Sequence, residues 1–417
     1  MQIPNSFVQN YLKSHYRIVG KHLHSAIKPC HWFEQRLLTG RDNRNCYKGY
    51  FGIKSHLCLQ NTPALPFCNQ SCVFCWRDIE HGTIGAEFST TPDDPRQIID
   101  EMIRHQRDML DNHITLEKSL LNLQSMRSIA NLLLDRNPRT LPEIAQKLHF
   151  SSHQTGRAVN VLKNTQILRI TEDLKHLVLH PTTITRLEEG VSMELIIEQS
   201  VTTEQEIREA HKKAYNPGHA AISLGGEPIL YPFISEFVAE FRRRRFTTFI
   251  VTNGTRPDLI KKMDSLPTQL YVSMPVDSPE NYKRICRPVN PTQWDQFLET
   301  LDLLSTLSSR TCIRVTAIQS LNMQKIAEYA RLIERANPNF IDVKAFALEA
   351  AARLIGNRLK GNAPVKSFQP TFRELQIFAQ RLSEAGNFPI LEQVKKSGDI
   401  LLGCNWPEGK SILINQL

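Results

Sequence analysis

Three closely spaced cysteines constrain this chain more than any other feature. Cys68, Cys72 and Cys75 lie between Phe67 and Trp76, four and three residues apart. Thiolates at these intervals can bind three irons of a cubane iron–sulfur cluster, and because no fourth cysteine follows nearby, one iron is left without a protein ligand. A structural zinc site normally uses four ligands, commonly as two separated pairs, so zinc is the weaker alternative. The spacing therefore predicts a four-iron cluster with an open, reactive iron.

Composition indicates the kind of protein in which such a cluster would lie. The chain has 417 residues, is 41% hydrophobic, and has six of its nine cysteines between Cys30 and Cys75. This distribution is typical of intracellular metal binding rather than of secreted disulfides. Since no apolar run approaches membrane-spanning length and the N-terminus has no secretory core, we expect a soluble, cytoplasmic protein with no membrane partner. The net charge of +9 is compatible with a polyanionic partner but does not identify one.

A second cysteine triplet precedes the first at longer intervals. Cys30, Cys46 and Cys58 each lie among basic and aromatic residues rather than in an apolar run. A thiolate needs such surroundings, so these residues are candidate ligands of a second metal centre. The alternative is three unrelated buried thiols. We interpret the remaining cysteines as structural: Cys286, Cys312 and Cys404.

The segments around both triplets resemble the tRNA 4-demethylwyosine synthase family of radical S-adenosylmethionine enzymes, in its archaeal, flavodoxin-free form. The similarity covers nearly the whole chain except one insert. It rests on Cys46-Tyr47-Lys48, Gly52-Ile53-Lys54-Ser55-His56, Trp76-Arg77-Asp78, residues 217–224, 281–284 and 287–289, and Gln293-Trp294. An aromatic residue before the last cysteine of the loop, here Phe74, is also usual in the superfamily.

The resemblance implies cofactors, substrates and ligands. It implies two four-iron clusters, with Cys68, Cys72 and Cys75 holding the one that binds S-adenosylmethionine and Cys30, Cys46 and Cys58 holding an auxiliary one. It further implies that N1-methylguanosine at position 37 of phenylalanine tRNA is condensed with pyruvate, with reduction by an external electron donor. The 5′-deoxyadenosyl radical is expected to abstract hydrogen from the methyl group, and the substrate radical to add to pyruvate. The oligomeric state is not implied.

The resemblance also indicates cofactor contacts at the ends of predicted strands. These residues are Phe74, Gly225, Gly226, Glu227, Pro228, Asn253 and Ser273. Glycine would permit close backbone approach to the cofactor, although Gly-Gly and Asn-Gly are also ordinary turn signals. Two departures are evident: the family usually has serine at the position of Gly225, and residues 346–354 lack the family's aromatic, glycine and tyrosine-rich pattern.

Lys48 matches the family's lysine that would hold pyruvate as an imine. A lysine amine can do this if burial or neighbouring cations keep it neutral at working pH. Lys54 is a weaker second candidate, and a solvated lysine without a catalytic role is the alternative for Lys48.

The secondary-structure pattern predicts an α/β fold. A helix is expected over 95–110, another near 204–214, and short β-rich runs over 220–224, 247–252, 269–274, 312–318 and 341–346, with one more before Cys68. Strands that alternate with helices favour parallel βα units. Together with the resemblance, this predicts a partial (βα)6 TIM-like barrel whose chemistry lies at the carboxyl ends of the strands.

Residues 113–190 interrupt the barrel pattern and predict an inserted winged helix. A helix over 125–136, a helix–turn–helix over 140–165 and a hairpin over 167–179 follow one another, and Thr140 with Glu143 forms a capping-box signal. The domains would then be 1–112, 113–190 and 191–417. We expect the insert to hold RNA through the basic and polar side chains His153, Gln154, Arg157, Lys163, Asn164, Arg169, Lys175 and His176.

Two other functions fit the same sequence. Clusters combined with a winged helix would suit a redox-sensing transcriptional regulator that binds operator DNA. Alternatively, another radical enzyme could act on a different RNA or on a small molecule. Release of 5′-deoxyadenosine from S-adenosylmethionine separates the enzymes from the regulator.

Overall fold

The computed structural model describes residues 1–39, 46–80, 82–361 and 363–414. The strands are β1 (Arg17–Val19), β2 (Ser25–Ile27), β3 (Cys58–Thr62), β4 (Arg139–Thr140), β5 (Leu168–Ile170), β6 (His176–Leu179), β7 (His219–Ile222), β8 (Thr247–Thr252), β9 (Gln269–Ser273), β10 (Arg310–Ala317), β11 (Phe340–Ala345), β12 (Ile390–Val394) and β13 (Asp399–Gly403). The helices are α1 (Asn5–Lys13), α2 (His31–Thr39), α3 (Pro95–Asn112), α4 (Leu116–Leu132), α5 (Leu141–Leu148), α6 (Ser152–Asn164), α7 (Pro181–Glu188), α8 (Met193–Ser200), α9 (Glu204–Ala214), α10 (Ile234–Arg243), α11 (Pro257–Lys261), α12 (Pro279–Asn281), α13 (Gln293–Leu304), α14 (Ile326–Ala336), α15 (Ile355–Arg358) and α16 (Phe372–Gly386).

A parallel sheet forms the centre of the molecule. Strands β3, β7, β8, β9, β10 and β11 pair in that order, all parallel. The antiparallel strands β2 and β1 extend the edge at β3, and β13 and β12 extend the edge at β11. The predicted strands and their parallel arrangement are therefore confirmed, as is the α/β class of a partial barrel.

Helices cover one face of this sheet, and aromatic residues of the N-terminal segment fill the other. The outer core includes Ile250, Phe297 and Tyr329, packed between the strands and the helices. The inner face packs Tyr50 and Phe51 with strand residues that include Phe249, Tyr271 and Phe340. Because both faces are covered, most residues of the parallel strands are buried, including polar ones such as Asn61 and Thr248.

Local capping explains where the predicted helices begin. Asp94 accepts hydrogen bonds from the backbone N–H groups of Arg96 and Gln97, and Pro95 occupies the first turn, so α3 begins at Pro95 as the sequence indicates. Thr140 and Glu143 form the predicted capping box at the start of α5. Within the described residues, no helix is long and apolar enough to cross a membrane.

The segment between α3 and α9 has a separate core. Helices α4, α5 and α6 precede the hairpin β5–β6, and β4 joins it in a sheet of order β4-β6-β5, which is the element order of a winged helix. Met193, Ile196 and Ile197 of α8 belong to the same core, so its packing continues beyond residue 190. The sequence pattern did not predict α7 or α8.

Candidate functional site

The loop that carries Cys68, Cys72 and Cys75 follows β3 at the carboxyl end of the parallel sheet. Two backbone hydrogen bonds tie the loop to other segments: the N–H of Cys68 donates to Gly85 (3.0 Å) and that of Val73 to Ile285 (2.9 Å). A third, from the N–H of Cys75 to Cys72 (3.1 Å), forms a turn within the loop. The three cysteines are thus held by the rest of the barrel rather than by a helix or strand of their own.

The thiols of this loop share one electrostatic environment. Burial raises the pKa of Cys68 to about 12, whereas the guanidinium of Arg77 and the thiol of Cys72 act on it in opposite directions. Burial also raises the pKa of Cys75, which likewise interacts with Arg77 and Cys72. Arg77 is 3% exposed, so a buried cation lies beside the thiols, as a set of thiolate ligands requires.

In the described part of the chain, no three His, Cys, Asp or Glu side chains converge closely enough to hold a single metal ion. Thiolates that each bind a different iron of a cubane lie further apart than ligands of one ion. A short loop in which the thiol of Cys72 interacts with those of Cys68 and Cys75, next to a buried Arg77, fits that wider arrangement.

The segment Gly225–Glu227 lies against this loop. The N–H of Glu227 donates to the carbonyl of Phe67 at 2.7 Å. Gly226 has φ +68°, and a side chain there would lie 1.9 Å from the carbonyl oxygen of Ala64. Glycine is therefore required at position 226, because the backbone there passes close to the carbonyl group of Ala64.

The carboxylate of Glu227 is buried and highly ordered by hydrogen bonds. Its Oε1 accepts from the N–H of Ile229 (3.2 Å) and the hydroxyl of Thr252 (2.7 Å), and its Oε2 accepts from the N–H of Asn253 (2.7 Å). Burial raises the pKa of Glu227 to about 7, although these hydrogen bonds oppose the rise. Oε2 retains acceptor capacity that an ammonium group could use.

The structure brings most of the expected cofactor contacts together. The side-chain amide of Asn253 donates to Asn69 Oδ1 at 2.7 Å, which connects β8 with the residue after Cys68. Pro228 is buried beside Glu227, and Phe74 packs half-buried against the core. Ser273 instead pairs in register with Arg314 of β10, on the inner side of the barrel.

The second triplet lies around one cavity of about 490 Å³. Cys30, Cys46 and Cys58 all line it, together with Lys48. Cys58 begins β3, Cys30 precedes α2, and Cys46 precedes a short 3-10 turn that contains Lys48. Residues that are up to 28 positions apart in sequence thus form one site.

Lys48 is 6% exposed at the wall of this cavity. Its ammonium lies 3.3 Å from the hydroxyl of Tyr47 and 4.3 Å from the centre of that ring. Burial acts to lower the pKa of Lys48, but Tyr47 and the thiols of Cys46, Cys58 and Cys30 outweigh it and hold the pKa above its ordinary value. Lys54, by contrast, is exposed.

A charged group of strand residues forms another wall of the cavity. Arg314 of β10 stacks on Tyr47 at 4.0 Å, and its nitrogens lie 3.6 Å from Asp342 and 3.8 Å from Asp399. Lys344 lies 3.1 Å from Asp399. The ion pairs of Arg314 are longer than hydrogen bonds, so its guanidinium has donors available for an anion in the cavity.

The two cysteine groups are connected through shared neighbouring residues. Trp76, which follows Cys75, stacks on Tyr16 at 6.5 Å, and the ammonium of Lys28 lies 4.9 Å from that tyrosine ring. The segment 346–354 contributes Phe346, Ala347 and Glu349 to the cavity, and the N–H of Ala351 donates to the carbonyl of Trp76 at 3.1 Å. One segment therefore contacts both sites.

Sequence reasoning missed three neighbours of the site. Arg358 donates to carbonyl groups of the cysteine loop, Arg314 faces the cavity, and Cys286 shares a hydrogen bond with Cys72. That hydrogen bond, followed by burial, raises the pKa of Cys72 well above its ordinary value. All three residues are distant in sequence from the cysteine motifs, and only the fold brings them there.

Comparisons with known proteins identify the family of this chain. Residues 193–333 match the family described as the Radical SAM superfamily. The S-adenosyl-L-methionine-dependent tRNA 4-demethylwyosine synthase of Pyrococcus horikoshii is 32% identical over 384 residues, which covers 91% of this chain and 83% of that protein. The Homo sapiens protein of the same name is 28% identical over 335 residues, covering 80% of this chain and 32% of that protein.

A solved structure is similar over nearly the full length. It is described as "Structure of TYW1 with a lysine-pyruvate adduct bound" and has 25% identity, a TM-score of 0.64 and 97% coverage of both chains. The fold and the site thus define a radical S-adenosylmethionine enzyme, with S-adenosylmethionine and a four-iron cluster as cofactors. More specifically, the chain belongs to the tRNA 4-demethylwyosine synthase family.

Proposed function

We propose that this protein forms the tricyclic 4-demethylwyosine nucleoside from N1-methylguanosine in tRNA, with pyruvate as the donor of two carbons. The observation that carries the proposal is one cavity lined by Lys48 and by Cys30, Cys46 and Cys58. The segment 346–354, which also lines this cavity, contacts the loop of Cys68, Cys72 and Cys75 through Trp76. A relative with a solved structure holds a lysine–pyruvate adduct. Lys48 is likewise a buried lysine at the wall of a cavity, although Tyr47 and the neighbouring thiols hold its pKa above the ordinary value rather than keeping the amine neutral.

Cys68, Cys72 and Cys75 would hold the four-iron cluster that binds S-adenosylmethionine, and Cys30, Cys46 and Cys58 would hold a second one. When bound, the first cluster and S-adenosylmethionine supply a 5′-deoxyadenosyl radical that can remove hydrogen from a methyl group. The carboxylate of Glu227, backed by the N–H of Asn253, would accept a hydrogen bond from the amino group of the cofactor. An external electron donor would reduce the cluster.

Lys48 and Arg314 would position pyruvate. Because its pKa is raised, Lys48 would first have to give up a proton; its neutral amine would then attack the keto carbon of pyruvate and release water to form an imine, which anchors the substrate covalently. Arg314, stacked on Tyr47 next to Lys48, would donate to the carboxylate of pyruvate. Arg314→Gln should therefore raise the KM for pyruvate more than the KM for S-adenosylmethionine.

The activity can be tested directly with anaerobic protein. Phenylalanine tRNA carrying N1-methylguanosine at position 37 would be incubated with reductant, pyruvate and S-adenosylmethionine, then digested for mass analysis of its nucleosides. We expect 4-demethylwyosine and 5′-deoxyadenosine, and neither with Cys72→Ala. Cleavage of S-adenosylmethionine without formation of 4-demethylwyosine would indicate another radical enzyme. If S-adenosylmethionine is not cleaved and the protein binds duplex DNA specifically, the protein is a regulator.

A further inference from the structure

The insert is attached to the edge of the cavity through helix packing. Helix α2, whose first residues His31 and Trp32 line the cavity, packs against α4 of the insert, and α4 packs against α6. The amide of Gln154 on α6 donates to the hydroxyl of Ser125 on α4 at 2.9 Å. The insert therefore has a defined position next to the cavity rather than swinging freely about its two connections.

Basic side chains of the insert and of the N-terminal segment meet at this point. Glu34 in the first turn of α2 interacts electrostatically with His31, Lys28, Arg157 and His15. Arg157 comes from α6, and it also lies 3.4 Å from the ring of His153, which is exposed. Four basic side chains, two from helices α2 and α6 and two from the loops after α1 and β2, thus lie within electrostatic range of one carboxylate.

Aromatic surface accompanies these charges. Trp32 is half-buried and contacts His31 edge to face at 4.9 Å between ring centres. Aromatic faces next to basic side chains are the usual surface for an unstacked RNA base and its phosphates. The hairpin of the insert is less suited to this partner because His176 is paired with Asp173 at 2.6 Å and the preceding residue, Glu172, is an exposed acidic residue.

We propose that Arg157 and His153 of α6 join Lys28, His31 and Trp32 to form a basic rim that binds an RNA stem-loop and directs its nucleoside into the cavity. The proposal rests on the proposed function, since the RNA is the substrate tRNA. The insert thereby extends the substrate surface of the enzyme and is not an independent DNA reader. Its positively charged contacts would hold phosphates and would not read sequence.

The test compares tRNA binding by wild type, Arg157→Gln, Arg157→Lys and Arg331→Gln across a salt series. Arg331 is an exposed control on α14, paired with Glu328. Arg157→Gln should weaken binding of phenylalanine tRNA about threefold and reduce the salt slope by about 0.7 to 0.9, as loss of one phosphate contact predicts. Arg157→Lys should restore the slope, Arg331→Gln should bind like wild type, and melting temperature and iron content verify folding.

The outcomes of this experiment distinguish failure of the proposed RNA-binding rim from failure of the proposed enzymatic function. Wild-type affinity and slope in Arg157→Gln would overturn the rim while leaving the proposed function intact. Failure of the wild-type protein to bind tRNA at any salt concentration would overturn both. Loss of affinity for one duplex DNA sequence, with tRNA binding unchanged, would also overturn the RNA rim.

Discussion

Nη1 of Arg358 lies 2.7 Å from the backbone carbonyl oxygen of Cys75 and donates a hydrogen bond to it. The same guanidinium donates to the carbonyls of Val73 (3.3 Å) and Arg77 (3.2 Å) and pairs with Glu80 at 3.1 Å. Arg358 is 5% exposed and ends α15, beyond the last parallel strand. It therefore holds the cysteine loop from the C-terminal part of the chain.

Arg358→Ala should loosen this loop. Without the guanidinium, buried carbonyl groups lose their donors, and we expect the free energy of unfolding to fall by roughly 2–4 kcal/mol. Iron should also be lost faster to a chelator. Arg353→Ala is the matched control, because Arg353 is exposed and donates only locally to Leu348. Equal iron-release rates in the two variants would remove Arg358 from the support of the loop.

Iron content tests the two cysteine triplets. The anaerobic protein should carry about eight irons as two four-iron clusters. Joint replacement of Cys68, Cys72 and Cys75 by alanine should leave about half the iron and no cofactor cleavage. Joint replacement of Cys30, Cys46 and Cys58 should also leave about half but retain some uncoupled cleavage. Full iron in either variant would refute the corresponding cluster.

Pyruvate trapping tests Lys48. Borohydride reduction in the presence of pyruvate should leave a stable adduct on Lys48, mapped by peptide mass analysis. Lys48→Ala should lose both the adduct and the nucleoside product while keeping its iron. Lys54→Ala is the control, since Lys54 is exposed. An adduct on Lys54 in the wild-type protein would exclude Lys48 as the reacting amine.

His24 should make the fold sensitive to acid. Its Nδ1 lies 2.7 Å from the carbonyl of Pro63 and its Nε2 accepts from the N–H of Asp93 at 2.9 Å, so the neutral ring satisfies both partners. Burial lowers the pKa of His24 below its ordinary value of 6.5. A depressed pKa contributes stability above pH 6.5 that is lost as the pH falls below it.

Denaturation at several pH values measures this effect. Glutamine offers a donor and an acceptor without titrating in this range, so His24→Gln should show a smaller loss of unfolding free energy between about pH 6.5 and pH 5. An identical pH slope in the two proteins would show that His24 does not titrate on unfolding.

The sequence predicted the features that depend on local pattern. Strand periodicity located the parallel strands, and the capping signal at Thr140 located α5. Cysteine spacing indicated the cluster loop, and the surroundings of Cys30, Cys46 and Cys58 indicated a second group that the structure brings to one cavity. These features can be predicted from the sequence because each depends either on residues close together in the chain or on residues of one type, such as cysteine.

Contacts between residues distant in the chain could not be predicted from the sequence in this way. Arg358 supports a loop about 280 residues earlier, and no periodicity or motif marks it. The contribution of α8 to the core of the insert was missed because its apolar residues fit equally well in a barrel helix. The position of Arg157 near Glu34 depends on how the insert packs on α2, which tertiary contacts alone determine.

Isotope transfer tests the central claim most directly. The substrate would be tRNA whose N1-methylguanosine carries a fully deuterated methyl group, and 5′-deoxyadenosine would be analysed by mass after anaerobic turnover with pyruvate. We predict that 5′-deoxyadenosine gains one deuterium while 4-demethylwyosine accumulates, because the radical abstracts from that methyl group. Formation of 5′-deoxyadenosine without deuterium, or of no 5′-deoxyadenosine at all, would contradict the proposed reaction.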